Sequence, residues 1–328
     1  MIRTKDVARA AVVAAMVLLA AGAVQAAITI DMVPVGNPGN AANYTGYGAV
    51  AYTYNIGKYE VTAGQYTAFL NAVAATDTYG LYNTNMDTAV YILGCNIKRT
   101  GSLGNYTYSV PSDYANRPVN YVSFWESCRF ANWLHNGQGN GSTETGAYTL
   151  TTSGIANNTI TRNDGWKWAV TSEDEWCKAA YYNPATGTYF SYPTSSNTAP
   201  GRDMADASGN NANYDRAPGP YPIDSGKYTT VAGEFQNSDS PYGTFDQGGN
   251  VSEWNEAVID GTYRGHRGGF FASQGSVQLH SSVRAQYDPT GDGNHIGFRV
   301  SEVPEPATMS LLALGGLGML MRRRSVRG

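Results

Sequence analysis

Apolar and polar residues follow regular patterns at several places between Ala27 and Glu302. The opening segment ITIDMVPVG alternates apolar and polar residues, which predicts a β-strand, and AYTYNIGKYEV predicts a second strand. The second strand leads into a predicted helix, because Thr62 and Gln65 have the spacing of a capping box and an apolar stripe with helical periodicity follows them.

Two later segments show the same combination of a capping box and an apolar stripe. Ser123 with Glu126 opens a predicted helix that Gly137 ends. Ser172 with Glu175 opens a shorter predicted helix. The chain is therefore expected to contain two principal helices and one shorter helix.

The rest of the predicted domain consists mainly of loops. The stretch from Asp77 to Asn116 is rich in Gly, Tyr and Asn, and only short strands and loops are expected after Tyr181. We find no internal repeat and no linker that would divide residues 27–302 into two domains. These patterns predict one α+β domain with a small sheet and much irregular structure.

The first 26 residues are typical of a secretory signal peptide. Basic residues precede an apolar run from Ala10 to Val24, and small residues then allow cleavage after Ala26 by a signal peptidase. The alternative is a membrane-spanning anchor, which needs about 20 apolar residues and is therefore disfavoured by this shorter run.

The last 26 residues, 303–328, combine a Pro-Glu-Pro element, an apolar stretch and a basic end. The element and the basic end consist of Val303, Pro304, Glu305, Pro306, Arg322, Arg323 and Arg324. The arrangement resembles the PEP-CTERM sorting signal, which implies recognition by an exosortase-type membrane protease. The alternative is an ordinary C-terminal anchor. Either interpretation predicts export, with the globular part beyond the inner membrane. The sorting signal predicts transient anchoring by this segment and then a periplasmic, cell-surface or extracellular location.

Charge and cysteine content exclude two other classes of protein. The formal net charge of -4 provides no basic surface, so no nucleic-acid partner is expected. Cys95, Cys128 and Cys177 lie far apart without CxxC spacing, so at most one disulfide can form. The fold must depend on an apolar core rather than on a disulfide framework.

Five segments in register resemble the formylglycine-generating enzyme (sulfatase-modifying factor) family. The segments are YNIGKYEVTAGQYTAFLNAV, RPVNYVSFWESCRFANWLHNG, WAVTSEDEWCKAAYY, YGTFDQGGNVSEWNE, and the ending RGGFF...LHSSVRAQYDP...IGFRV. The resemblance covers nearly all of residues 27–302. It implies a loop-rich variant of the C-type lectin-like fold, with a small antiparallel sheet and two to three helices.

Enzymes of this family use a pair of their own cysteines to oxidise a cysteine of a sulfatase. These thiolates bind copper(I), a soft ion that prefers sulfur ligands. The corresponding stretch here, from Arg267 to Arg284, contains no cysteine, so copper binding is disfavoured. The residues of this stretch that we expect to line a cleft are Arg267, Phe270, Ser273, His280, Ser281 and Arg284.

The resemblance also implies structural calcium, since one family calcium site corresponds to an oxygen-rich segment here. That site maps onto the side chains or carbonyls of Asp246, Gly249, Val251 and Glu253. A weaker correspondence places another calcium site at Asn213, Tyr214 and Asp224. Hard oxygen donors suit calcium. The alternative for the first segment is a capped tight turn before a tryptophan-containing strand.

Histidine spacing gives no metal motif. Related iron-dependent sulfoxide synthases carry HxxxHxE, which the four histidines here do not form, and HExxH, Walker and GxSxG motifs are also absent. His266 and His280 flank the expected cleft and become ligands only if the loops bring them together. The alternative is that both are ordinary solvated loop residues.

Two classes of function follow from these patterns. The first is a non-catalytic module that binds a glycan or protein through Tyr- and Asn-rich loops, or forms part of an exopolysaccharide layer. The second is a formylglycine-generating oxidoreductase or a divergent oxygenase on the same scaffold. The missing cysteine pair favours the first class.

Overall fold

The computed structural model describes residues 27–216, 219, 221–224 and 226–303. The predicted signal peptide lies outside these residues, as does the sorting signal from Pro304 onward. Within the described residues, no helix is both long enough and apolar enough to cross a membrane.

Three capping boxes begin the three longest helices, as the sequence predicts. Among the described residues, the α-helices are α1 (Ala63–Val73), α2 (Ser112–Ala115), α3 (Phe124–His135), α4 (Thr152–Ala156) and α5 (Glu173–Tyr181). At the start of α3, the backbone N–H of Glu126 donates to Ser123 Oγ at 3.2 Å, and Glu126 Oε2 accepts from the Ser123 N–H at 2.9 Å. The same reciprocal bonds open α1 and α5. They satisfy N–H groups that have no partner within the helix.

The strands in the described part of the chain form two four-stranded sheets and two short hairpins. The strands are β1 (Met32–Val35), β2 (Tyr54–Gly57), β3 (Lys98–Thr100), β4 (Thr107–Ser109), β5 (Trp168–Val170), β6 (Tyr182–Asn183), β7 (Thr188–Tyr189), β8 (Ser252–Ile259), β9 (Tyr263–Arg267), β10 (Ala285–Tyr287), β11 (Ile296–Phe298) and β12 (Val300–Glu302). The first sheet has the order β1-β2-β12-β5 and is antiparallel throughout. The second has the order β10-β9-β8-β11.

The α+β, C-type lectin-like class is confirmed, but the sheet content exceeds the prediction. We expected a small antiparallel sheet and only short strands after Tyr181. Instead β8 has eight residues, and it pairs in parallel with β11. The first sheet joins Ile56 to Ser301, which are far apart in the chain, so local patterns could not reveal the pairing.

An aromatic core connects the central helix to both sheets. Phe130 on α3 contacts Phe69 on α1 and Phe298 on β11, with ring centroids 5.4 and 5.3 Å apart. Trp254 on β8 is fully buried, and its indole N–H donates to the Val122 carbonyl at 2.9 Å. Helix α3 is buried from Phe124 to Leu134, so it packs on more faces than a surface helix would. Rings of this size contribute most of the apolar area removed from water.

The chain passes from one sheet to the other at Arg299, between β11 and β12. The Arg299 guanidinium donates to both carboxylate oxygens of Glu253, each at 2.7 Å, and to the Gly57 carbonyl at 2.7 Å. The indole N–H of Trp176 donates to Glu253 Oε2 at 2.7 Å. Arg299 and Glu253 are both fully buried. One ion pair therefore joins β2, β8 and α5.

Replacing Arg299 with methionine is expected to destabilise the domain by about 3–5 kcal/mol, because Glu253 would be left as an unpaired buried charge. Urea denaturation of the full chain in detergent measures this loss. Lys227→Met is the matched control, since Lys227 pairs with the exposed carboxylate of Asp113 at 2.9 Å and should cost much less. Similar losses in the two variants would contradict the role assigned to Arg299.

Candidate functional site

A tight glycine turn follows β9 and forms one wall of a cavity. Gly268 and Gly269 have φ values of +97° and +70°, which favour glycine. A Cβ on Gly268 would lie 2.7 Å from the Gln247 carbonyl oxygen, so a side chain has no room there. After the turn, the Phe270 N–H donates to Ser273 Oγ at 2.9 Å.

The cavity has a volume of about 220 Å³ and lies in the stretch that the sequence predicts as a cleft. Its lining includes His266, Arg267, Phe270, Ser273, Gln278 and His295. Three of the six predicted cleft residues, Arg267, Phe270 and Ser273, are therefore brought together here. The lining residues present aromatic, hydroxyl, amide and imidazole groups to the cavity.

Arg267 and Arg284 meet at a shared carboxylate instead of projecting freely. Glu173 accepts from Arg267 Nε at 2.8 Å and from Arg284 Nη2 at 2.8 Å. The Tyr47 ring packs against both guanidiniums, at 4.7 and 5.3 Å from its centroid. Glu173 offsets one positive charge and the Tyr47 ring stabilises the other. We therefore assign Arg267, Arg284 and Glu173 a structural role.

His280 and Ser281 do not line the cavity. His280 Nδ1 lies 2.8 Å from Ser282 Oγ, and its ring packs edge-on against Tyr192. Ser281 is buried, and its N–H donates to the Ser191 carbonyl at 2.9 Å. The chain between them and Phe270 forms a 3-10 helix, Ser276–Leu279, of which Gln278 lines the cavity.

His266 approaches His295 rather than His280. Strand β8 has β9 on one side and β11 on the other, so it separates His266 on β9 from His295, the residue before β11. The two imidazole centroids are 6.0 Å apart. Sequence reasoning missed His295 because the parallel pairing of β8 and β11 is not visible in local patterns. The only available signal was its position directly before the IGFRV segment.

No cysteine contributes to the cavity. Cys95, Cys128 and Cys177 are free and buried, and none of them is a lining residue. Burial raises the pKa of Cys95 to about 11 and that of Cys177 to about 12. Their thiols therefore stay protonated at neutral pH and are poor metal ligands.

The main predicted calcium site includes Glu253, the carboxylate of the buried pair with Arg299. Both Glu253 oxygens are already bonded to Arg299, so Glu253 has less capacity for a metal than its sequence position implies. Asp246 is partly buried, and its Oδ2 accepts from the Gly233 N–H at 2.6 Å. Gly249 has a φ of +85° in the same turn, and Val251 is fully buried.

Glu60 is an acidic residue of this region that the sequence analysis did not identify. It is 2% exposed, and neither carboxylate oxygen has a hydrogen-bond partner. Burial, followed by the charges of Asp246 and Glu253, raises its pKa well above the ordinary value. The segments are adjacent, since the Phe245 N–H donates to the Lys58 carbonyl at 2.9 Å. The capping and periodicity signals of GKYEV gave no indication of this cluster.

The charges of Asp246 and Glu253 raise the pKa of Glu60, and the charge of Arg299 lowers it. With its pKa raised, Glu60 is neutral until a cation replaces its proton, and carboxylate oxygens suit calcium. The donor set therefore fits calcium best at Glu60 and Asp246. Across the residues that the structure describes, no three His, Cys, Asp or Glu side chains converge as a metal cluster, so backbone carbonyls or water would have to complete the coordination.

The residues of the weaker calcium site are engaged elsewhere. Asp224 Oδ2 forms an ion pair with Arg117 Nη2 at 2.5 Å. The Asn213 amide donates to the Tyr228 carbonyl at 2.9 Å, and the Tyr214 hydroxyl donates to the Pro200 carbonyl at 2.6 Å. Because Arg117 offsets the only anionic ligand, this set fits calcium poorly.

Comparison with known proteins agrees with this architecture. Among solved structures, the crystal structure of CarF has a TM-score of 0.58 and 21% identity, covering 84% of this chain and 99% of CarF. Treponema denticola variable protein 1 has a TM-score of 0.53 and 19% identity, covering 84% of this chain and 96% of that protein. At these identities the likeness shows the fold alone. A comparison with functionally curated proteins finds no match.

Two family profiles match the sequence. The profile described as sulfatase-modifying factor enzyme 1-like domain matches residues 4–303. The PEP-CTERM protein-sorting motif matches residues 302–325, which implies export, membrane-associated sorting and processing by an exosortase-type system. The chain thus belongs to the sulfatase-modifying factor enzyme 1-like family, that of the formylglycine-generating enzymes, and carries a PEP-CTERM sorting motif.

Proposed function

We propose that the domain is a non-catalytic binding module that is exported and sorted at the cell envelope. The observation that carries this proposal is the cavity bounded by the stretch from Arg267 to Arg284, which contains no thiol. Family oxidation requires two sulfur ligands for copper(I). Ser273 offers only a hydroxyl there, which is a hard and weakly acidic donor.

Aromatic and amide side chains beside the cavity support a binding role. The Asn120 amide donates to the Leu93 and Asn294 carbonyls, each at 2.7 Å, and so ties the exposed turn around Tyr91 to the loop that carries His295. Tyr91 and its neighbour Ile92 are 45% and 62% exposed. Exposed tyrosine beside asparagine and glycine is typical of adaptable recognition surfaces. The ligand class we assign is a glycan or a protein of the envelope or extracellular matrix.

Sorting would place this surface outside the inner membrane. A signal peptidase would remove the first 26 residues, and an exosortase-type protease would act at the motif that begins at Val303. The C-terminal apolar segment would hold the chain only until that step. The mature domain would then be periplasmic, attached to the cell surface, or associated with extracellular polysaccharide.

The full chain is expected to form no formylglycine. The test incubates the protein, in detergent, with copper(I), oxygen and a peptide carrying CxPxR, and mass spectrometry then follows the thiol of the peptide. An authentic formylglycine-generating enzyme serves as the positive control. Aldehyde formation above the level of a no-enzyme control would overturn the proposal and favour the oxidoreductase alternative.

The three thiols are expected to resist modification in the folded protein, because all are buried. Ellman's reagent should titrate none of them in native buffer and all three in guanidinium chloride. Rapid native reaction of a thiol would mean that it reaches solvent. That result would restore the hypothesis of a metal site with sulfur ligands.

We also propose that calcium binds beside Asp246, with Glu60 as a further ligand and a lesser contribution from Glu253. The carbonyls of Gly249 and Val251 belong to the same turn and would supply neutral oxygens. Calcium would neutralise the buried carboxylates and hold this turn against the segment of Glu60. Its role would be structural.

Calcium is expected to raise the stability of the native chain, by about 2.7 kcal/mol at a concentration of 100 times the dissociation constant. Glu60→Gln should abolish most of this gain. Glu126→Gln is the matched control, because Glu126 is a buried carboxyl outside this cluster whose pKa burial raises to about 8. Thermal denaturation with and without calcium measures the effect.

The same experiment has a predicted pH dependence. Burial raises the pKa of Asp246 to about 6 and raises that of Glu60 well above its ordinary value, so protons compete with calcium increasingly as the pH falls. Affinity should therefore be higher at pH 7.5 than at pH 5. An equal response of native protein and Glu60→Gln, or no response in either, would remove the calcium proposal.

A further inference from the structure

Two imidazoles share the cavity wall, and that of His266 also forms a hydrogen bond with the backbone of Gln286. His266 and His295 both line the cavity, and their centroids are 6.0 Å apart. His266 lies on β9 and His295 directly precedes β11 of the same sheet. The rings are inclined by 63°, which is an edge-to-face arrangement.

His266 has an unsatisfied polar atom. The residue is 8% exposed, and its Nδ1 has no hydrogen-bond partner. Leaving such an atom buried is costly, so it marks a place where a ligand would lower the free energy. Burial lowers the pKa of His266 to about 3, with the charge of His295 a smaller cause, and burial also lowers the pKa of His295. Both rings are therefore neutral at physiological pH, the form that binds metals.

Packing holds both rings in place. The His295 centroid is 5.2 Å from that of Phe270 and 5.4 Å from that of Tyr287, while the His266 centroid is 6.0 Å from that of Trp254. Ligands on rigid strands with packed rings lose little conformational freedom on binding.

The remaining lining is compatible with a cation. Of the described residues that line the cavity, Arg267 is the charged one, and its charge is offset by Glu173 at 2.7 Å. Ser252 and Ser273 supply hydroxyl oxygens in the same wall. No third His, Cys, Asp or Glu joins the pair within the described part of the chain, so water or these hydroxyls would complete the coordination.

We propose that His266 and His295 form a binding site for a divalent first-row transition cation such as Zn²⁺. Imidazole nitrogen suits zinc, nickel and copper(II), whereas calcium prefers oxygen ligands. The site is separate from the carboxylate cluster at Glu60, and it does not depend on whether the domain is catalytic. A cation with two protein ligands keeps open positions, which a ligand entering the cavity would reach.

The test titrates the tag-free full chain, in detergent, with Zn²⁺ in the presence of millimolar calcium, which occupies oxygen-ligand sites. Calorimetry should show one Zn²⁺ per chain. His266→Gln and His295→Gln should each weaken binding by at least about tenfold. His280→Gln is the control, because His280 lies outside the cavity lining, and its affinity should equal that of the native chain.

Copper(II) gives an independent readout. The electron paramagnetic resonance spectrum of the native chain with one equivalent of Cu²⁺ should show splitting from two nitrogens, and each cavity variant should lose one. If His266→Gln fails to fold, His295→Gln decides the question, because His295 is only half-buried. The absence of Zn²⁺ binding, or unchanged affinity in His295→Gln, would overturn the proposal.

Discussion

The buried ion pair between Arg299 and Glu253 is the constraint around which the domain is arranged. It occupies the point where the chain leaves one sheet for the other, and the same guanidinium reaches the Gly57 carbonyl of β2. Trp176 completes the bonds to Glu253 from α5. Much of this fold is loop, so few β-ladder hydrogen bonds define it. A fully hydrogen-bonded buried ion pair therefore fixes the relative position of its sheets.

Helix starts were predictable because a capping box is local. Ser123 and Glu126 are three residues apart, and their reciprocal bonds need no tertiary partner. The sheets were not predictable in this way, since Ile56 pairs with Ser301 and Trp254 with Phe298 across long sequence separations. Family resemblance supplied the fold class, whereas the residues alone gave only α+β with many loops.

The candidate site was also predictable only where the signal is local in the sequence. The absence of the cysteine pair could be recognised from the sequence, because it requires no knowledge of the tertiary structure. Phe270 and Ser273 reached the cavity as expected, while His280, which follows the 3-10 helix, does not line it. Glu60 and His295 were missed, since each acquires its chemical meaning only from neighbours that the tertiary fold brings close.

The central claim is that the scaffold has kept its architecture without the soft-metal chemistry of the formylglycine-generating enzymes. Titration of the full chain with copper(I), against a chromophoric chelator that competes for it, tests this most directly. Our account predicts that the chelator retains the copper(I), because every cysteine is buried and protonated away from the cavity. Transfer of one copper(I) per chain to a pair of protein thiolates would contradict it.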